Sequence, residues 1–407
     1  MAWRYAWGCV CVVACSDDAE PQCATAPAAP LAVESPSCDA NCGGGDAVEV
    51  CPGTCGRQLE LEWFLVLDDA SCQREPVVAA EVPDLVIVGG GKDDSEGLKP
   101  QLWLAGLTPS GCVKWTDTEG TLGDSFVLGV AGDPSSGYYA VGHVREPEES
   151  GLRAVRAWIR RYLPNGDIAW TRREHTSIGQ RASAVAIDAD GGAIVTGGSD
   201  GTDPEGSRGW MRRYSADGEP RGEELWLGDG VGSYALDVMR ASSGRVWISL
   251  WTGSAHETTG WIAGLDDRDQ IAWLKLSSQS AYSSRLALLN DSSPVLIEYP
   301  NGVSRWSAEG ELLWTVAAGK SWTFIPLRAA TTSDGRIVVV GTQSSQPAVL
   351  IIDADGNLQG LQIVPGVVEG SASDVSVAAD GSIYLTGLVQ NYDLGACDTW
   401  VAKARLD

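Results

Sequence analysis

Residues 158–218 read WIRRYLPNGDIAWTRREHTSIGQRASAVAIDADGGAIVTGGSDGTDPEGSRGWMRRYSADG, opening on WIRRYLPNG and closing on the near-copy WMRRYSADG. In each copy a glycine follows the tryptophan by eight residues, Trp158 to Gly166 and Trp210 to Gly218. Between them lie a short alternating run from Ala182 to Asp188, a DADGG turn and a second run from Ala193 to Gly197. This is one structural unit followed by the start of the next. A chain built by repeating it has few folds open to it.

The same anchors recur along the chain as Gly111, Gly166, Gly218, Asp269, Gly310 and Gly356, with the chain end in the seventh place. Their spacing of about 40 to 55 residues falls in the range of propeller blades. Trp103, Trp158, Trp210 and Trp261 precede their anchors by eight residues, and Trp115, Trp170, Trp273 and Trp314 follow theirs by four. Trp226 comes late, which marks an insertion in that copy. Copies five and six are degenerate, with Asn301-Gly302 and Ala348 where the first tryptophan belongs and Gly360 where the second does.

Each unit reads as four strands. An apolar run such as AVAID or VSVAA leads through a DADGG or AADGS turn to AIVTGG or IYLTG. A longer connection reaches the tryptophan strand, and a tight turn gives GDIAW or GELLW. Alternation bounded by Asp-Gly and Asn-Gly turns is a hairpin signal, and no stretch carries a helical period. The expected fold is all-β: a seven-bladed β-propeller of four-stranded antiparallel blades. The C-terminal DTWVAKARLD is a tryptophan strand with nothing after it, and LELEWFLVL (Leu59 to Leu67) is the type of strand that should follow. One blade is therefore expected to be closed by both ends of the chain, which removes free sheet edges. The propeller domain is placed at residues 57–407 and is expected to be a monomer.

The repeats resemble the bacterial propeller repeats of exported proteins, the SBBP and delta-60 types. More loosely, they resemble the PQQ-like repeats of quinoproteins and outer-membrane assembly lipoproteins. The resemblance covers about residues 57 to 407 and implies architecture rather than an activity.

The N-terminal MAWRYAWGCVCVVACSDD reads as an export signal, with Arg4 before an apolar run from Ala6 to Ala14. That run is shorter than the ~20 apolar residues a membrane span needs. Val12-Val13-Ala14-Cys15 resembles a bacterial lipobox, which implies a signal peptide over 1–14 and lipidation of Cys15. Ser16 after the cysteine implies the outer membrane rather than the inner. Residues 15–56, rich in Cys, Pro and Ala, read as a tether. Cys15 aside, eight cysteines remain after the signal, an even set that in an exported chain reads as disulfides. The spacing from Cys38 to Cys55 also invites zinc, against which export weighs.

A formal charge of −25, dispersed and without a basic patch, argues against nucleic acid and against binding an anionic membrane surface. The lipid anchor is then the only expected membrane contact. No G-x-S-x-G, H-E-x-x-H or phosphate-cradling loop occurs. The Asp-rich turns at Asp188, Asp190, Asp353, Asp355 and Asp380 could take calcium, although Asp and Gly also suit tight turns. All three histidines, His143, His175 and His256, fall on one face but on different blades, so a three-histidine metal site is not expected.

In this strand order the second-to-third and fourth-to-first connections share a face, and they are the long, variable ones. Gly91 to Pro100, His143 to Arg153, Ser199 to Arg208, Thr252 to Gly260 and Gln390 to Thr399 read as its loops. Variable loops on a rigid scaffold are where function sits. The fourth-to-first loops ring the channel mouth with Asp124, Ser125, Gln180, Arg181, Tyr234, Tyr282, Trp322 and Asp374, the candidate ligand site. The functional expectation is a cell-envelope lipoprotein, at the periplasmic face or cell surface, that binds or scaffolds a protein or glycan. One alternative is a quinoprotein-like or glycan-cleaving enzyme at the channel mouth, with PQQ stacked on Trp322. The neighbouring Cys-Cys pair common in quinoproteins is missing. Another alternative is an outer-membrane assembly factor.

Overall fold

The computed structural model describes residues 59–67, 73–80, 82, 84–93, 100–119, 124–135, 137–147, 153–174, 179–199, 206–228, 232–254, 257–279, 283–299, 301–317, 324–391 and 396–406. The signal segment 1–14, Cys15 and the tether 15–56 lie outside the described residues, as do Tyr282, Trp322, His175 and His256.

The strands form seven sheets of four. The first strand among the described residues, β1 (Leu59–Leu67), belongs to the last blade. The first blade is β2 (Gln73–Ala79), β3 (Val86–Lys92), β4 (Gln101–Leu107) and β5 (Val113–Glu119). The second is β6 (Phe126–Asp133), β7 (Gly137–Pro147), β8 (Arg153–Tyr162) and β9 (Ile168–Arg173). The third is β10 (Gln180–Ile187), β11 (Ala193–Ser199), β12 (Gly209–Tyr214) and β13 (Pro220–Leu227). The fourth is β14 (Ser233–Arg240), β15 (Val246–Ser254), β16 (Glu257–Leu265) and β17 (Ile271–Ser278). The fifth is β18 (Ser283–Leu288), β19 (Pro294–Tyr299), β20 (Gly302–Trp306) and β21 (Leu312–Ala317). The sixth is β22 (Phe324–Thr331), β23 (Ile337–Gln343), β24 (Gln346–Ile352) and β25 (Leu358–Ile363). The seventh is β26 (Gly370–Val377), β27 (Ile383–Asn391) and β28 (Ala396–Leu406), completed by β1. β1 runs antiparallel to β28 with Leu59 opposite Leu406, so the two ends close one blade, as the sequence predicts.

The first strand of each blade touches that of the next, from β2 round to β26 and back to β2, so these strands ring the axis. Seven apolar clusters fill the seven junctions between blades. The first-row tryptophans Trp158, Trp210 and Trp400 are fully buried in them. The short turns share one geometry. In the turn from Thr108 to Cys112, Gly111 N–H donates to Thr108 O and Thr108 N–H donates to Cys112 O. This is a type I turn closed by a bulge, whose fourth residue must take positive φ. The anchors Gly111, Gly166, Gly218, Asp269, Gly310 and Gly356 all occupy that position.

The second-row tryptophans join each blade to the turn of the next. Trp170 Nε1 donates to Ala216 O (2.8 Å), Trp273 to Ala308 O (3.2 Å), Trp314 to Ala354 O (2.9 Å) and Trp63, in β1, to Pro109 O (2.9 Å). Trp115 lays its ring on Gly166 without that hydrogen bond. Where the tryptophan is displaced or missing, another tie stands in. Arg213 of the third blade grips both carboxylate oxygens of Asp269 in the fourth. Gln362 of the sixth clasps Leu59 of the seventh, accepting from its N–H (2.8 Å) and donating to its carbonyl (3.1 Å).

The long-connection face differs from the expected one. His143 to Arg153, Thr252 to Gly260 and Gln390 to Thr399 are largely strand: β7 runs to Pro147, β15 to Ser254 and β27 to Asn391. The hairpin ladder runs on past the blade body, with Glu146 opposite Ala154, so Glu146 sits on a strand rather than a loop.

Candidate functional site

The described mouth residues fall into two groups. Gln180, Arg181 and Tyr234 lie not on loops but at the entrance ends of β10 and β14. Asp374 is not at the mouth. It lies midway along β26, at the bulge between Ala372 and Asp374. The extra bulge residue turns this carboxylate sideways, where it accepts N–H bonds from Val375 (2.9 Å) and from Val78 of the first blade (2.9 Å). Burial pushes the carboxyl above its ordinary range, opposed by the Arg328 guanidinium 3.5 Å away. Asp237 repeats the device at the bulge of β14, accepting from Val238 and from Leu286 of the fifth blade, each at 2.9 Å.

At the rim, Asp124 is half exposed and faces the Arg145 guanidinium at 3.3 Å. Ser125 is buried, its N–H donating to Pro100 O (3.0 Å) and its hydroxyl oxygen accepting from Arg145 N–H (3.3 Å). Gln180 is buried and donates to Glu224 (3.3 Å). His143 packs beside Phe126, its ring 5.5 Å away. Burial, with Arg181 and Arg145 nearby, pushes its imidazole down to about 3, so it is neutral at ordinary pH. Apart from the Ser125–Pro100 bond, which ties the second blade to the first, these contacts lie within a blade. Tyr234 is of another kind: it lies on Gly198 and stacks on Trp251 at 5.0 Å and 24°, with both rings partly open to solvent. Its hydroxyl donates to Ser207 (3.2 Å).

Deeper in, Arg328 crosses the channel. Its Nη2 donates to Leu128 O of the second blade (3.2 Å) while its Nε faces Asp374 in the seventh. Arg285 donates to Leu236 O (2.7 Å). Asp237, Arg285, Arg328 and Asp374 thus occupy one level of four successive inner strands, and of these only Asp374 is among the residues expected at the mouth. The signal was there, because they align in the repeat where other copies carry Gly129 and Ala184.

The Asp-rich turns spend their carboxylates locally. Asp188 pairs with Arg213 (2.6 Å), and Asp190 with Arg221. Asp353 accepts from the N–H groups of Asp355 and Asn357, and Asp380 from Ser382 N–H. Among the described residues, no three His, Cys, Asp or Glu side chains gather as a metal cluster.

No protein-family model matches the chain, and no curated protein matches its sequence. Among solved structures, it is similar to one described as YCF48 bound to D1 peptide, with TM-score 0.51 and 11% identity over 84% of this chain and 97% of that one. The chain is a seven-bladed β-propeller. This propeller is also similar, at TM-score 0.40, to a calcium-binding regucalcin from Agrobacterium tumefaciens, 14% identical over 65% of this chain and 90% of that one. A gluconolactonase from Xanthomonas campestris matches it at TM-score 0.40 and 15% identity, over 66% of this chain and 90% of that one.

Proposed function

We propose that this propeller is an exported, lipid-anchored binding module that presents its long-connection face to a protein in the cell envelope. The observation that carries the reading is the Tyr234–Trp251 pair, two stacked rings partly open at the channel mouth. Tyrosine and tryptophan set on a rigid scaffold are the side chains that dominate protein interfaces. A propeller of similar architecture is described as binding a peptide, which accords with this use of the fold. A glycan is the other ligand that such rings stack. The repeats we read as the exported bacterial type, and Cys15 as the lipidated residue that holds the domain at the outer membrane. The Cys112 sulfur is disulfide-bonded, which suits an oxidising compartment.

The test compares the full chain with Trp251→Ala and Tyr234→Ala in cross-linked capture from envelope fractions, beside a glycan panel. A protein retained by the parent chain and lost by both variants is expected. The same captured set from parent and variants overturns the reading, and a sugar that binds only the parent replaces protein by glycan. Cys15→Ala should move the chain from the detergent phase to the aqueous phase on phase separation, and an unchanged partition removes the anchor.

A further inference from the structure

One row of the repeat is broken in a single blade. Counting six residues on from the positive-φ residue of the first turn reaches Gly197, Leu250, Glu298, Gly341 and Gly387 in blades three to seven. Across the hairpin, these positions face Trp210, Trp261, Gly302, Ala348 and Trp400. On the inner strand, they face Ala182, Ala235, Ser284, Pro326 and Ala372. Four of these rows are apolar throughout. The fifth blade alone reads Ser284–Glu298–Gly302.

The backbone is altered to match. Every other inner strand carries a register shift, and where the facing residue is glycine the inner strand closes on it: at Gly387 a Cβ would come within 1.8 Å of Ser371 O. β18 pairs with β19 without a shift, which leaves room for a side chain at Glu298. Gly302 removes the bulk that Trp210 and Trp400 supply in their blades. The junction this row faces, between the fourth and fifth blades, is packed among the described residues by Trp247, Ile262, Leu286, Leu296 and Trp306.

Beside these residues the fold sets oxygen atoms. Glu298 is 4% exposed, and its Oε1 accepts from the hydroxyls of Ser277 (2.7 Å) and Ser278 (3.4 Å) at the end of β17. Ser284 is paired directly with Glu298 and so points to the same face. It is fully buried, and its hydroxyl has no hydrogen-bond partner. A buried carboxyl met by hydroxyls, next to an unsatisfied hydroxyl, is costly unless something completes it.

We propose that Glu298, Ser277, Ser278 and Ser284 form a binding site for a hard cation, calcium, at the junction of the fourth and fifth blades. Oxygen donors of mixed kind on two separate sheets suit the irregular coordination of calcium. Magnesium demands a near-octahedral shell, and zinc prefers nitrogen and sulfur. With one carboxylate the site is weak, with a dissociation constant on the order of 10⁻⁴–10⁻³ M, the range of extracellular calcium modules. The site lies between blades, off the channel, and does not depend on the partner reading above.

The test is calorimetric titration of the full chain, freed of metal by EDTA, with calcium chloride and, separately, magnesium chloride. The expected result is saturable calcium binding near one equivalent, with affinity falling at least tenfold in both Glu298→Gln and Ser284→Ala. Asp353→Asn, a turn carboxylate, should leave it unchanged. The thermal midpoint without calcium shows that each variant is folded, and Ser277→Ala serves if Glu298→Gln is not. No saturable calcium binding, binding untouched by Glu298→Gln, or loss in Asp353→Asn each overturns the proposal.

Discussion

Asp269 and Ser292 hold the positive-φ place (60° and 67°) that glycine fills in most of the described turns. An L side chain there costs about 1–2 kcal/mol, less for Asp. Asp269 is held by its paired contact with Arg213. Ser292 has only a 3.5 Å approach to the Ser242 hydroxyl. Ser292→Gly should therefore raise stability by about 0.5–1 kcal/mol in urea unfolding, whereas Asp269→Gly should lower it. A second residue-scale prediction concerns acid. The Arg336 hydrogen bond, with help from Thr332, lowers the Asp334 carboxyl from an ordinary 3.8 to about 2. A depressed carboxyl stabilises the fold above its unfolded value, and that contribution is lost as pH falls through the folded one. In Asp334→Asn the drop in urea midpoint between pH 4 and pH 2 should be shallower than in the parent. Identical slopes would show that the pair contributes nothing.

Between elements, the recurring unit is a tryptophan on the outer strand laid over the turn of the next blade. At Gly310, φ is 80° and a Cβ would come within 2.6 Å of the Trp273 ring. Gly310→Ala is strained twice over, in its backbone and against the ring. It should lower stability by at least ~2 kcal/mol, while Gly381→Ala, with nothing within 4 Å, is strained only in its backbone and loses less. Chemical denaturation of the two variants side by side checks this. Gln362 does the tryptophan's work at the sixth junction through its two bonds to Leu59. Gln362→Ala should lower stability by about 1–2 kcal/mol, read in the same assay.

For the whole molecule, closure is what matters. β1 supplies the outer strand of the seventh blade and, through Trp63, its tie to the first. A chain beginning at residue 68 exposes the β28 edge and leaves a three-stranded blade. It should unfold at lower denaturant than one beginning at residue 57, or aggregate. Equal midpoints would mean that the ring is held without its closing strand. The axis is braced as well, since Arg328 reaches from the sixth blade to the second and seventh.

The fold was legible because its determinants are local and repeated. Tryptophan spacing, Asp-Gly turns and alternation each report on a few adjacent residues, and many copies report the same thing. Blade number, the closing strand and the positive-φ anchors follow from that. The candidate site was legible only in part. That Tyr234 stands at the mouth could be read from its place in the repeat. That Asp374 lies inside the channel depended on a bulge, a backbone event that leaves no fixed residue type behind. The lengths of the hairpins at β7, β15 and β27 could not be told from loops, because the residues there serve either state. Glu298 stood out of register in the sequence, as PVLIEY beside AIVTGG, but a carboxyl out of pattern is as readily exposed as buried. Only the packing of one blade on another, which brings the end of β17 to β19, placed it among hydroxyls and away from water.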